Sequence, residues 1–165
     1  MDVRQDRVDE LLAQWHRERP DLPTQAMGIF GRFGRLLTLM EVQISAPFVR
    51  HGLQSGEFDV LATLRRSGQP FELKPSELAE ELMISRPAMT GRLDRLESAG
   101  LVRRISDSTD RRSLRVQLTP SGRGLMEELI AEHADNEERL LEVLSSTHRD
   151  ELDQILRILL ASVEE

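Results

Sequence analysis

Residues 75–122 constrain this chain more than any other stretch. Pro75 suits the first turn of a helix, and PSELAEELM sets Leu78, Ala79 and Leu82 on one inward face. Lys74 takes the N-cap position, where Ser, Thr or Asp would serve better. After Ile84, Ser85 is a good N-cap for RPAMTGRLDRLESA, which stops at Gly100 as helices do at a left-handed C′ residue. Two helices of these lengths, joined by only a few residues, have the pattern of a helix-turn-helix. Two runs alternating apolar and charged residues follow, LVRRI and SLRVQL, separated by SDSTDRR. They predict a β-hairpin whose long loop carries Arg111 and Arg112.

A helical wheel gives the second of these helices two sides. Met89, Leu93 and Leu96 form its inward face, while Pro87, Gly91, Asp94 and Ser98 lie opposite, flanked by Ala88, Thr90 and Arg95. Small residues beside hydroxyl and guanidinium donors suit close entry into a major groove, where arginine holds guanine O6 and N7. Arginines at a hairpin tip suit the negative potential of a narrow minor groove. The candidate DNA contacts are therefore Ser85, Arg86, Pro87, Thr90, Gly91, Arg95, Arg111 and Arg112. An ordinary surface helix and a solvated turn are the plain alternatives, and what tells against them is that helix pair, hairpin and charge agree in order and spacing.

The charge evidence is local. Formal net charge is −7, which by itself argues against a nucleic-acid partner. Between residues 85 and 119, however, eight arginines (86, 92, 95, 103, 104, 111, 112, 115) face four acids (Asp94, Glu97, Asp107, Asp110). A basic patch in an acidic chain fits a partner bound in one orientation and then released. The absence of cysteine excludes disulfides, thiolate metal sites and thiol redox sensing. Lacking an apolar run of membrane length and a signal-like N-terminus, the chain is expected to be cytoplasmic. Histidines 16, 51, 133 and 148 have no tight ligand spacing, so no metal is expected. Without a phosphate-binding glycine loop, an HExxH or a nucleophile paired with a base, no enzyme is expected either, and no cofactor.

The remaining periodicity is helical. Residues 3–17 predict a short amphipathic helix bearing Trp15, and residues 24–50 a long one in which Pro47 signals a kink or an early stop. Residues 57–66 predict a third helix, followed by a loop through Pro70. Thr119 and Pro120 open a helix reaching about residue 145, with His133 in a near-heptad stripe where packing or a pH response is expected; a last helix covers about 149–163. The expected fold is mainly α with a small β-hairpin wing, a winged helix-turn-helix at 57–119. The helices of 1–56 and 120–165, whose apolar stripes need a partner, are the expected dimerisation region of one compact domain.

LAEELMISRPAMTGRLDRLESAGLVRRISDSTDRRSLRVQLTPSGRGL resembles the recognition helix, the wing (DRRS) and the LTPSG helix opening of the MarR family of bacterial transcription regulators, and the resemblance covers nearly the whole chain. It implies a homodimer interlocked through its first, second and last two helices, with two winged domains on pseudo-palindromic double-stranded DNA about one helical repeat apart, roughly 34 Å. A narrower resemblance, to the urate-responsive, PecS-like branch, rests on Trp15 in an extra first helix, FDVLATLRR, and Arg92. It implies a ligand pocket built from Trp15, Asp59, Arg66 and Arg92.

That implied set makes chemical sense. Asp59 and Arg66 stand seven residues apart on a helix, sharing one face about 10 Å apart along the axis. A flat heterocyclic anion such as urate would take charge-assisted bonds from guanidinium groups, give an N–H to Asp59 and meet the Trp15 indole. Arg92 lies at the edge of the inward face, so an anion drawing it inward would move the recognition helix and release DNA. Another aromatic or carboxylate effector fits the same residues. A helical protein-interaction module, its arginine loop binding an acidic partner, is the rival from another class. Core or dimer packing is the alternative for Trp15, and a surface or structural pair for Asp59 with Arg66; what favours the pocket is that four positions match together.

Overall fold

The computed structural model describes residues 5–107 and 113–164. It comprises α1 (Arg7–Glu18), α2 (Gln25–Arg50), α3 (Ser55–Arg66), β1 (Glu72–Leu73), α4 (Pro75–Glu81), α5 (Arg86–Ser98), β2 (Val102–Ser106), β3 (Leu114–Leu118), α6 (Pro120–Leu141) and α7 (Ser146–Ala161). By their packing these form two compact units that divide between Ser45 and Ala46, within α2.

The first unit holds α1 and most of α2. The α1 helix starts later than periodicity alone suggests because Asp6 caps it: its carboxylate accepts from the amides of Val8 (2.7 Å) and Asp9 (3.1 Å). The Asp9 carboxylate in turn accepts from the Asp6 amide at 2.8 Å, and Arg32 of α2 pairs with Asp6 (2.8 Å) and with Asp9. Val8 is buried, whereas Trp15, Ile29, Phe30, Phe33, Leu36, Leu37 and Val42 stand exposed, Phe30 by 70%.

The second unit contains the core. Val60, Leu61 and Leu64 of α3, Leu78 of α4, Met89, Leu93 and Leu96 of α5, Val116 of β3, and Met126 and Leu129 of α6 are buried together. The inward face read from the wheel of α5 is the face observed. Pro47 does not stop α2; it is fully buried, and the helix runs on to Arg50, with Phe48 stacked on Phe58 at 4.0 Å. Packing of this last turn compensates for the one backbone bond that proline removes.

The hairpin of β2 and β3 forms as expected, antiparallel, with Arg104 opposite Val116. A third strand, β1, lies on the other side of β3, giving the order β1-β3-β2, with Glu72 opposite Gln117. Two residues are too short to show an alternation, which is why the sequence reads there as loop. Gly100 takes φ +71, the left-handed C′ position expected of it. Lys74 cannot cap α4 with its side chain; the Glu77 carboxylate accepts from the Lys74 amide at 2.7 Å instead. Thr119 caps α6, accepting from Gly122 N–H at 3.0 Å and donating to the Gly100 carbonyl at 2.7 Å. The α6 helix ends at Leu141, and Ser145, which accepts from the His148 amide at 3.2 Å, starts α7 earlier than expected. Along α7 no residue is buried.

Candidate nucleic-acid interface and effector site

Anchored by Met89, Leu93 and Leu96, α5 turns its N-terminal residues outward. Ser85, Arg86, Pro87, Ala88 and Thr90 are exposed, and Gly91 is half-buried. The Ser85 hydroxyl accepts from the Ala88 amide at 3.4 Å, and Thr90 donates to the Arg86 carbonyl at 3.0 Å. Among the described residues Arg86 pairs with no acid. It borders a groove with Lys74, Ser76, Thr90 and Ser113, which joins the start of α4, the start of α5 and the base of the wing. Arg111 and Arg112, expected at the wing tip, lie outside the described residues.

The base of that wing is built from charge. Asp107 is 3% exposed, with Lys74 at 3.5 Å and Arg115 at 3.6 Å, and its amide donates to the Ser113 carbonyl across the mouth of the loop at 3.0 Å. Arg115 also pairs with Glu72 of β1 at 3.0 Å. Arg104 pairs with Asp94 at 2.6 Å and with Glu97, so it sits against α5 and holds its outward acids. These acids raise the guanidinium's pKa, chiefly through the Asp94 hydrogen bond. Much of the arginine cluster legible in the sequence is thus spent inside the fold.

Arg95, expected to face DNA, is turned to α3. Its Nε donates to Glu57 Oε1 at 2.5 Å, and Glu57 is buried at 5% exposure. The other Glu57 oxygen accepts from the Gln54 amide at 2.9 Å, so one carboxylate both caps α3 and binds α5. One turn earlier, Arg92 Nη1 donates to the Gly56 carbonyl at 3.2 Å. Neither Gly56 nor Glu57 stands out from sequence alone; Glu57 gives a hint as the N3 acid of a capping box, and its tie to Arg95 is purely tertiary.

Of the four residues expected to form a pocket, the structure makes Asp59 and Arg92 electrostatic neighbours. The protein around Asp59 displaces enough water to push its carboxyl above the ordinary value of 3.8, although its surface remains exposed; Arg92 most, then His133 and Arg66, oppose the rise. Arg66 itself pairs with Glu81 at 3.0 Å. Trp15 is 44% exposed on α1, in the first unit. His133 joins the neighbourhood of Asp59 from α6: its ring packs against Phe48 (5.1 Å) and Phe58 (4.9 Å), with Nε2 3.3 Å from Glu137.

The chain resembles known proteins in sequence and in fold. Residues 51–113 match the model described as MarR family. Over 149 residues the chain is 39% identical to the HTH-type transcriptional regulator PecS of Dickeya dadantii, covering 90% of each protein. Sco3205 of Streptomyces coelicolor, a MarR family transcriptional regulator solved in complex with DNA, shares the fold at a TM-score of 0.77 and 23% identity, over 87% of this chain and 91% of that one. BpsR of Bordetella bronchiseptica, whose DNA binding is regulated by 6-hydroxynicotinic acid, superposes with a TM-score of 0.66 at 25% identity, over 78% and 91%. With its helix-turn-helix, charged wing base and near full-length match to PecS, the chain belongs to the MarR family of transcriptional regulators.

Proposed function

We propose that this protein is a homodimeric repressor that binds a pseudo-palindromic operator and is released by a small planar anion such as urate. The observation that carries the DNA half is α5: three buried anchors fix it, while Ser85, Arg86, Pro87 and Thr90 stay exposed beside the wing base. Those residues with Gly91 would enter the major groove, and Arg111 and Arg112 the minor groove. Arg95 would have to leave Glu57 to join them. The dimer is supported by the apolar side chains that α2 and α7 leave exposed in one chain, among them Phe30, Leu37, Ile158 and Leu160. A dimerising region from 1–56 and 120–165 around a DNA-binding region at 57–119 remains the organisation we favour.

The effector half rests on Arg92 and Asp59. An anion bound near them would gain more from an inward Arg92 than the free protein does, and this differential affinity shifts the recognition helix. Arg66 and Trp15 complete the set that the PecS relationship suggests. The regulation of BpsR by 6-hydroxynicotinic acid keeps another aromatic carboxylate open as the effector. Trp15 is the only Trp and there is no Tyr, so its emission reports the ligand directly. Saturable quenching by urate, lost in Asp59→Ala, and release of a promoter fragment in gel shifts at the same concentrations are the expected results. Quenching by 6-hydroxynicotinate alone would replace urate, and no selective shift of the fragment would overturn the regulator reading.

A further inference from the structure

We infer that Glu57 is a positioning residue for the recognition helix and that Arg95 serves this contact in place of DNA. This rests on the DNA-binding reading of α5. The first turn of α3 receives two guanidinium groups from the same side of α5: Arg92 on the Gly56 carbonyl at 3.2 Å, and Arg95 on Glu57 at 2.5 Å. Residues 92 and 95 are three apart, so the two contacts fix both the rotation of α5 about its axis and its angle to α3.

Burial decides which partner Arg95 keeps. Its own side chain is 53% exposed, but that of Glu57 is only 7% exposed. Were Arg95 to swing out to a phosphate, Glu57 would be left as a buried carboxylate whose remaining bond is the Gln54 amide. Stranding a buried charge costs far more than a solvated phosphate contact returns. Gly56 adds a fit of shape: a Cβ there would stand 2.3 Å from Cζ of Arg92, so that residue must be glycine for the guanidinium to seat. The exposed base-facing residues are thereby held at a set angle by contacts farther along the same helix.

Glu57→Gln separates the two roles of Arg95. The amide keeps the volume and one acceptor for the Gln54 amide, but turns an N–H toward Arg95 and breaks the pair. We expect operator affinity to fall by about tenfold, equivalent to about 1.4 kcal/mol, since only part of the cost of breaking the pair falls on the angle of α5. That sign is informative, because removing a negative charge would by itself tighten DNA binding. Arg95→Ala should weaken binding to a similar degree with its log-log salt slope unchanged, and the double variant should be no weaker than either single one. A tighter complex for Glu57→Gln, or a salt slope shallower by about one unit in Arg95→Ala, would overturn the inference and make Arg95 a phosphate ligand. Thermal melts of each variant exclude unfolding as the cause. If the unaltered protein shifts no promoter fragment, it is the DNA-binding reading that fails.

Discussion

A single hydrogen atom at Gly56 gives Arg92 its seat, since a methyl group there would overlap the guanidinium. The obstructing atoms are the far end of a flexible side chain, so Gly56→Ala is expected to fold, with α3 gaining up to about 1 kcal/mol of helix propensity. It should lose some operator affinity, because the Arg92 contact helps to hold α5, and it should lose response: the urate concentration that half-releases the remaining complex should rise severalfold while the melting temperature holds or increases, checked by gel shift and by thermal melting. Asp59 makes the matching prediction in pH. Burial raises its folded pKa, so the folded protein holds a proton that the unfolded chain has released just above 3.8; the stability this brings is complete below 3.8 and declines as pH rises through the folded value. Asp59→Asn removes a carboxylate that is ionised against its surroundings at pH 7. Its melting temperature there should match or exceed that of the parent, with a flatter decline from pH 4 upward, while quenching of Trp15 by urate is lost.

At the scale of elements, the wing depends on a carboxylate beneath it. Asp107→Ala removes the buried acid that Lys74 and Arg115 approach and that sits where the hairpin loop departs. Stability should drop by about 1–3 kcal/mol in a denaturant titration, and operator affinity should fall with it. Asp107 was legible in the sequence only as one acid near the arginines, because nothing in SDSTDRR says which charges turn inward. The helices were readable for a definite reason: Met89, Leu93 and Leu96, or Val60, Leu61 and Leu64, repeat at the helical period, and Ser85, Thr119 and Gly100 punctuate them. Failures occurred where local signals are short or compete. The two residues of β1 are defined by their partners on β3, and Ser145 lies in a Ser-Ser-Thr run offering several caps. For the candidate site, residue types that bear chemistry were legible and their partners were not. Arg66 meets Glu81, Arg95 meets Glu57 and Arg104 meets Asp94, each across 10 to 38 residues of sequence.

At the scale of the whole molecule, one chain leaves many large apolar side chains uncovered. No residue of α7 is fully buried, with Ile155, Ile158, Leu159 and Leu160 all exposed, and α2 adds Phe30, Leu37 and Val42. Burial in a homodimer would recover roughly 25 cal/mol for each Å² of apolar area withdrawn from water, before the costs of association. Ile158→Glu would place a charge within that surface and should convert a dimer to a monomer in light scattering; a parent protein already monomeric at micromolar concentration would remove the dimer from the mechanism. DNA binding should weaken in step, since two half-sites are then engaged independently.

The hydroxyl of Thr119 also bears on how motion passes through the second unit. It donates to the carbonyl of Gly100, where α5 has just ended, and accepts from the amide of Gly122, where α6 has just begun. The exit of the recognition helix, the return strand of the wing and the first turn of α6 therefore share one rivet. A tilt of α5 would strain both of these bonds at once, so the end of the wing and the start of α6 are the elements placed to feel it first.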